Sequence, residues 1–575
     1  MKEKTKQKGV TLIALVITII VLIILAGVAI NALVGENGII TQAQRAKDDT
    51  EQGKREEQGG LLSLEQQIDA ALGQTYITEK GVNKPVLTAG MSPIKFTEPT
   101  SSEKGKAEKT ESTNTDWYDY NGKKWANSQT EDGSMWVWIP RFAYKVNTNT
   151  FDIKFLIGTT DNYYDESGKI QTAKRCTNIN EDVDTKNGYT VHPAFTDETS
   201  IGYRNGGWDK ELTGIWVAKF EAGYASGNNS APVKVSSVNY SQSTVWARAI
   251  EAGTDDDSEQ TARNWLDGIY GETKTPIKYP TFQPVTYSMN YINHNDAYNI
   301  AKAMTEDGNI YGLTGSTNSH LMKNSEWGAV AYLSQSQYGL NGTDITVNNV
   351  SLNSGGAKRT NTAGKSGVDS VYAVTGCTTA STSSGESVQT MANINGTTGN
   401  IANNGLYTWD QLNGCMASST GTIYGIYDLS GGNWERTANY VGNENGNLKG
   451  YGASIAYDGS ILKIASTKYT TAYPYDSSTD NTRIANNDIN LNTASTDNYK
   501  KNTLIYGDGI RETSAAGTES TSWHDDYSFY PGLYGPFLVR GGSLWNGSGA
   551  GLFYFYRHGG HSTYNGGFRA VLAVS

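Results

Sequence analysis

From Val10 to Val34 the chain reads VTLIALVITIIVLIILAGVAINALV, without one charged side chain. A helix rises about 1.5 Å per residue, so about 20 apolar residues span the hydrocarbon core of a bilayer. Lys2, Lys4, Lys6 and Lys8 precede the stretch, and the positive-inside rule keeps such a basic start in the cytoplasm. The bulk of the chain is then expected outside the membrane that residues 10–34 cross. The apolar run is long for the core of a secretory signal, which favours retention over removal by signal peptidase.

The boundary at KGVTLIALVITII resembles the class III leader of type IV prepilins: a short basic leader, a Gly, then an apolar helix. The resemblance implies cleavage by a prepilin peptidase between Gly9 and Val10, leaving a methylated amine on Val10. It also implies pilus or pseudopilus subunits as partners. Most such pilins carry Glu as the fifth mature residue, where this chain has Ala14. In that family the Glu neutralises a neighbouring subunit's terminal amine inside the filament, and an unpaired buried charge is costly. The implied role is therefore a minor, tip or membrane-held component.

The stretch IITQAQRAKDDTEQGKREEQ is charged and helix-prone, and LLSLEQQIDAALGQ spaces Leu61, Leu64, Ile68 and Leu72 as a helix does. The chain thus divides into a leader at 1–9, a membrane and stalk helix at 10–72, a polar linker at 73–116, and a large domain at 117–575. A net charge of −11 without a basic patch argues against nucleic acid. Cys176, Cys377 and Cys415 form no C-x-x-C pair, so a zinc site has no support. One disulfide could join any two of them in an oxidising setting.

In the large domain, SMWVWIPRFAYKV and GIWVAKFEAG read as strands. NHNDAYNIAKAM places Ala297, Ile300, Ala301 and Met304 on one helix face, and NSEWGAVAYLS does the same with Trp327, Val330, Ala331 and Ser334. Asn324 is the expected N-cap of the second helix. Polar stretches at 341–404 and 443–521 read as long functional loops or insertions. The fold class expected is α+β.

PVTYSMNYINHNDAYNIAKAM, SHLMKNSEWGAVAYL, GIYDLSGGNWERTANY and a final VRGGS…GGFRAVL follow one another in this chain. Their order is similar to that in the formylglycine-generating-enzyme family, covering Pro284 to Leu572. The resemblance implies a C-type-lectin-like fold, an irregular mixed sheet with two helices and long ordered loops. Tyr427, Asp428, Trp434, Glu435, Arg540, Gly541, Gly542, Phe568 and Arg569 are then framework. Asp428 and Glu435 would pair with Arg540 or Arg569 inside it.

Enzymes of that family hold copper on a pair of cysteines near the C-terminus, but this chain has none after Cys415. Related iron-dependent sulfoxide synthases need three histidines, and the six here share no motif. Catalysis is disfavoured, and no catalytic residue, metal ligand or cofactor is assigned. A structural Ca²⁺ is compatible with loop Asp and carbonyl groups, although no motif places it.

The segment 540–572 is rich in Tyr, His, Gly, Ser and Asn and lacks Lys, Glu, Gln and Met. It resembles the ligand surface of variable proteins of diversity-generating retroelements, where mutagenesis of AAY codons yields that residue set. The resemblance makes Asn546, Ser548, Tyr554, Tyr556, His558, His561, Tyr564 and Asn565 surface-facing and varied, with Arg557 free to stack or pair. Trp545 cannot arise from such a codon and is expected to be framework. Strand alternation in GLFYFYR sends Phe553 and Phe555 to the core, and Tyr554 and Tyr556 to the ligand. Tyr, Ser, Gly and Asn are also the chemistry of an antibody paratope. The function expected is a surface-displayed, pilin-like ligand-binding protein, an adhesin or receptor for a surface protein or glycan. It would be held in the cell membrane with its domain outside, or in a surface filament. The alternatives are an enzyme on the same fold and a structural minor pilin.

Overall fold

The computed structural model describes residues 81–175, 188–198, 206–223, 280–286, 288–290, 292–353, 371–379, 389–391, 406–442, 446–463, 466–473, 506–513, 522–529, 531, 534–561, 563 and 565–574. The chain divides into two units, Met1–Leu64 and Glu65–Ser575, and every described residue belongs to the second. Gly9, Val10, Ala14, the segment 10–34, Cys176 and Tyr564 lie outside the described residues. Among the described residues no helix is long and apolar enough to cross a membrane.

The second unit is mixed α+β, mostly sheet with few helices. Its main strands, in chain order, are β1 (Ser92–Thr97), β2 (Lys106–Lys109), β3 (Asn127–Gln129), β4 (Met135–Pro140), β5 (Gly214–Ala218), β6 (Thr317–Leu321), β7 (Trp434–Arg436), β8 (Phe537–Gly541), β9 (Gly551–His558), β10 (Gly566–Phe568) and β11 (Ala570–Val574). Seven form an antiparallel sheet in the order β6-β11-β5-β4-β3-β1-β2. Four form a second sheet, β9-β8-β7-β10, in which β7 and β10 run parallel. The final strand thus lies between β5 and β6, inside the larger sheet.

MWVWIP in β4 and GIWVA in β5 are buried along their whole length. Trp216 stands opposite Trp138 and Val217 opposite Val137, and the two indoles lie 5.2 Å apart. Strands covered on both faces need no polar alternation, which is why these runs are almost wholly apolar. The helices fall where the sequence puts them, α1 at His294–Lys302 and α2 at Asn324–Ser334. Asn293 caps α1, its Oδ1 accepting from Asp296 N at 2.9 Å.

α2 departs from expectation in two ways. Lys323, rather than Asn324, is its N-cap, and the Glu326 carboxylate accepts from Lys323 N at 2.8 Å. Every one of its residues is buried, so it has no solvent face at all. A buried Glu326 is tolerable because His320 Nε2 lies 2.9 Å and Lys323 Nζ 3.4 Å from its Oε1.

The folded region also begins before Trp117. β1 and β2 extend the larger sheet from within the expected linker 73–116, with Ile94 and Phe96 buried. β2 reads KAEK and is exposed throughout. A charged edge strand resists pairing with other chains, and its composition mimics a linker.

Candidate functional site

Two Gly-Gly turns fasten the C-terminal segment to the domain. Gly431 N donates to Gly541 O at 3.1 Å, and Leu544 N donates to Gly432 O at 2.9 Å. Gly432 and Gly542 have φ of 69° and 73°, a region that side chains with a Cβ seldom adopt. Space forbids a side chain too: a Cβ at Gly432 would stand 2.7 Å from Glu221 Oε1, and one at Gly542 2.8 Å from Ala550 Cα. The turn at Gly541 coincides with a shift in the β8–β9 register, from Arg540 opposite Phe555 to Gly541 opposite Gly551.

Beneath the turns lies a buried charge cluster. Arg569 Nε donates to Glu435 Oε2 at 2.9 Å, and its Nη2 donates to Oε1. Two further guanidinium hydrogens, on Nη1 and Nη2, reach Ala218 O and Tyr427 O, each at 2.7 Å. Arg569 therefore ties β5, β7 and the Tyr427 loop to the chain between β10 and β11. Asp428 pairs with neither arginine; it accepts from Asn348 Nδ2 and Gly376 N, both at 2.8 Å. Arg540 is likewise buried, and its guanidinium packs over Trp327 and Phe555, 5.5 and 5.9 Å from the ring centres. Burial pushes the Glu435 carboxyl up to about 7 against the pull of Arg569. Glu221 and Asp428 are also pushed up by burial.

Above this base, β9 divides into a core face and an aromatic face. Phe553 packs on Trp523 at 5.4 Å, and Phe555 lies under Arg540. On the other side Tyr556 stacks on Trp434, with ring centres 5.9 Å apart and planes 21° from parallel. Tyr527 leans on Tyr554 and Tyr556 at 6.2 and 5.9 Å, and Phe529 on Tyr556 at 5.6 Å. The Arg557 guanidinium sits 4.0 Å from the Phe529 ring centre.

The expected surface set is split by this arrangement. Tyr556, Arg557, Asn546 and Ser548 are half-buried and His561 is exposed, but Tyr554 (1% exposed), His558 and Asn565 are buried. Tyr554 sinks because Tyr527 covers its face of the strand. His558 sinks because its Nδ1 accepts from Gly560 N at 2.9 Å and Arg436 Nη1 at 3.2 Å. Asn546 Oδ1 accepts from Ser543 N at 2.7 Å and Trp434 Nε1 at 3.1 Å, so it shapes the turn before β9. Trp545 is 41% exposed, among the largest apolar groups offered to solvent, and so lies outside the framework expected of it. Phe568 is buried as framework would be, its ring edge-on to Phe282 at 6.5 Å.

No family model matches this chain, and no curated protein matches it. Its site is read from its own geometry.

Sequence reasoning passed over Tyr527, Phe529 and Tyr534, the last 75% exposed. The signal was present in WHDDYSFYPGLYGPF, an aromatic- and Gly-rich run directly before VRGGS. Among the described residues, no group of three or more His, Cys, Asp or Glu side chains is arranged to hold a metal ion. Cys377 and Cys415 are free, buried thiols. Burial pushes both up, Cys415 to about 11, which keeps them protonated and unreactive. The arrangement offers rigid aromatic area with a few hydrogen-bonding groups, which is chemistry suited to binding.

Proposed function

We propose that this protein is a membrane-held, pilin-like receptor or adhesin that reads a surface protein or glycan with its C-terminal segment. The observation that carries the reading is the half-open aromatic shelf of Trp434, Tyr527 and Tyr556, continued by Asn546, Arg557 and His561. Tyr and Trp give large contact area for little loss of rotamer freedom. The buried Arg569–Glu435 pair and the clasped Gly-Gly turns hold that shelf rigidly, so its exposed positions can change at little cost. The two longest helices among the described residues, α1 and α2, with an irregular sheet arrangement and long connections, support a C-type-lectin-like scaffold. The residue set of the segment supports diversification by a retroelement. The leader ending at Gly9 and the apolar segment 10–34 support display from the cell membrane, as a minor or tip component.

Exchange of residues 546–565 between sister copies of the protein tests the reading. Binding across a panel of surface proteins and glycans should follow the segment, while the melting temperature stays with the scaffold. Binding that follows the scaffold would overturn it.

A further inference from the structure

Arg557 follows Tyr556 on β9 and is half-buried. Among the described residues its guanidinium meets no carboxylate and no hydrogen-bond acceptor; it lies over the Phe529 ring, 4.0 Å from the centre. The same ring touches Tyr556 at 5.6 Å, so the cation stands at the border of the aromatic shelf. Its stem is pinned as well. A Cβ on Gly535 would stand 3.1, 3.2 and 3.4 Å from Arg557 Cβ, Cγ and Cδ, so the bare backbone of Gly535 lies along the stem. An arginine held in this way has lost rotamer freedom before any ligand arrives, and it can stack on a ring while offering its N–H fork to a carboxylate.

The surroundings are open to solvent. Tyr534, the neighbour of Gly535, is 75% exposed, and its carbonyl accepts from Asn447 Nδ2 at 2.7 Å. Exposed His561 stands close by: its Nδ1 and Tyr534 O lie 3.1 and 3.4 Å from where a Cβ on Gly559 would be. Charge sets this patch apart from the rest of the chain. The protein carries −11 overall, yet residues 527–575 hold no Asp, Glu or Lys, and their charged side chains are Arg540, Arg557 and Arg569. Arg540 and Arg569 are wholly buried, so Arg557 is the ionic group that this stretch brings to the surface. Protein interfaces are enriched in Tyr, Trp and Arg and depleted in Lys, Glu and Asp, and their energetic anchors come from the first three. Trp434, Trp545, Tyr534, Tyr556 and Arg557 have that composition.

We propose that Arg557 is the anchor through which the shelf takes an acidic protein partner, pairing with an Asp or Glu carboxylate of that partner. The anchor rests on the ligand-reading surface proposed above and names the class of its ligand. Apolar side chains flanking the partner's carboxylate pack on Tyr534 and Tyr556. A charge-assisted, forked pair fixes the orientation of the partner on an otherwise uncharged surface.

Panning a random dodecapeptide library against the full-length protein, wild type and Arg557→Gln, tests the proposal. Peptides enriched on the wild type should carry Asp or Glu beside an aromatic or aliphatic residue, and Arg557→Gln should not enrich them. In calorimetry with the leading peptide, Arg557→Gln and exchange of the peptide's own Asp or Glu for its amide should each weaken binding about tenfold. The two losses together should not exceed either alone, since both remove one pair. Arg557→Gln should melt with the wild type, because the side chain is half-buried and makes no ion pair among the described residues. Enriched peptides without an acidic residue, equal enrichment on Arg557→Gln, additive losses, or retention of acidic glycans in place of peptides would overturn the anchor. The segment exchange is read separately. Specificity that follows residues 546–565 with no effect of Arg557→Gln removes the anchor and leaves the reading surface standing.

Discussion

Arg569 meets Glu435 through two parallel hydrogen bonds in the interior, with Nε to Oε2 at 2.9 Å. The pair joins the closing GFR of the chain to the NWER of β7, the two ends of the framework that carries the shelf. Removing one partner would leave the other charge buried alone, at a cost of about 3–5 kcal/mol. Arg569→Met also strips the donors from Ala218 O and Tyr427 O. Denaturant unfolding of Arg569→Met should show a loss of that size, and a loss below about 1 kcal/mol would place the pair outside the framework.

Two aromatic positions on one strand should behave differently. Phe553 is wholly buried, and its truncation to Ala should cost about 3–5 kcal/mol. Tyr556 is half-buried on the open side, and Tyr556→Ser should change stability by no more than about 1 kcal/mol while weakening ligand binding. Equal losses at the two sites in thermal unfolding would contradict the assignment of faces.

His192 gives a prediction in pH. Burial among Phe142, Tyr144 and Tyr332 pushes its imidazole down to about 3, against about 6.5 when unfolded. The unfolded chain therefore takes up a proton in this window and the folded chain does not. His192 contributes stability that is fully present above about pH 6.5 and is lost toward pH 3, at up to about 1.4 kcal/mol per unit. Glu435, raised to about 7, acts in the opposite sense as pH rises, so the difference from a variant is the useful quantity. His192 Nδ1 accepts from Ala194 N at 3.2 Å, a capping role that Asn can fill. Stability of the wild type relative to His192→Asn should fall as pH drops from 6.5 to 3. Parallel curves would refute the depressed imidazole.

Much of this arrangement was legible in the sequence, because period and motif spacing report contacts made within an element. The positions of α1 and α2, the strands β4 and β5, and the Phe and Tyr sides of β9 follow that way, whereas the burial of β4 and β5 on both faces does not. The identity of the arginine that meets Glu435 did not follow, since both Arg540 and Arg569 lie beside paired glycines in the sequence and only tertiary packing chooses. Nor did the depth of Tyr554, because alternation divides a strand into faces without saying that Tyr527 covers one of them. β2 escaped notice because KAEK suits an edge strand and a linker equally. Arg436 beside His294 and His558 joins residues far apart in the chain, and no local pattern announces such a meeting.

At the N-terminus, the proposed prepilin-type leader predicts cleavage between Gly9 and Val10. Mass spectrometry of the membrane-extracted protein should find a methylated Val10 end in a host that processes prepilins, and Gly9→Val should block its formation. An intact Met1 end in such a host, or a cut near Ala29, would remove the pilin-like reading.

The central claim, that residues 546–565 are a diversified reading surface on a fixed framework, is tested most directly by sequencing the DNA around the gene. The account predicts a nearby template repeat, almost identical to the segment's coding sequence except at adenines, together with a reverse-transcriptase gene. Codons for Asn546, Tyr556, His561 and Tyr564 should align with AAY in the template, and those for Trp545, Phe568 and Arg569 should not. A locus with no template repeat and no reverse transcriptase would contradict the account.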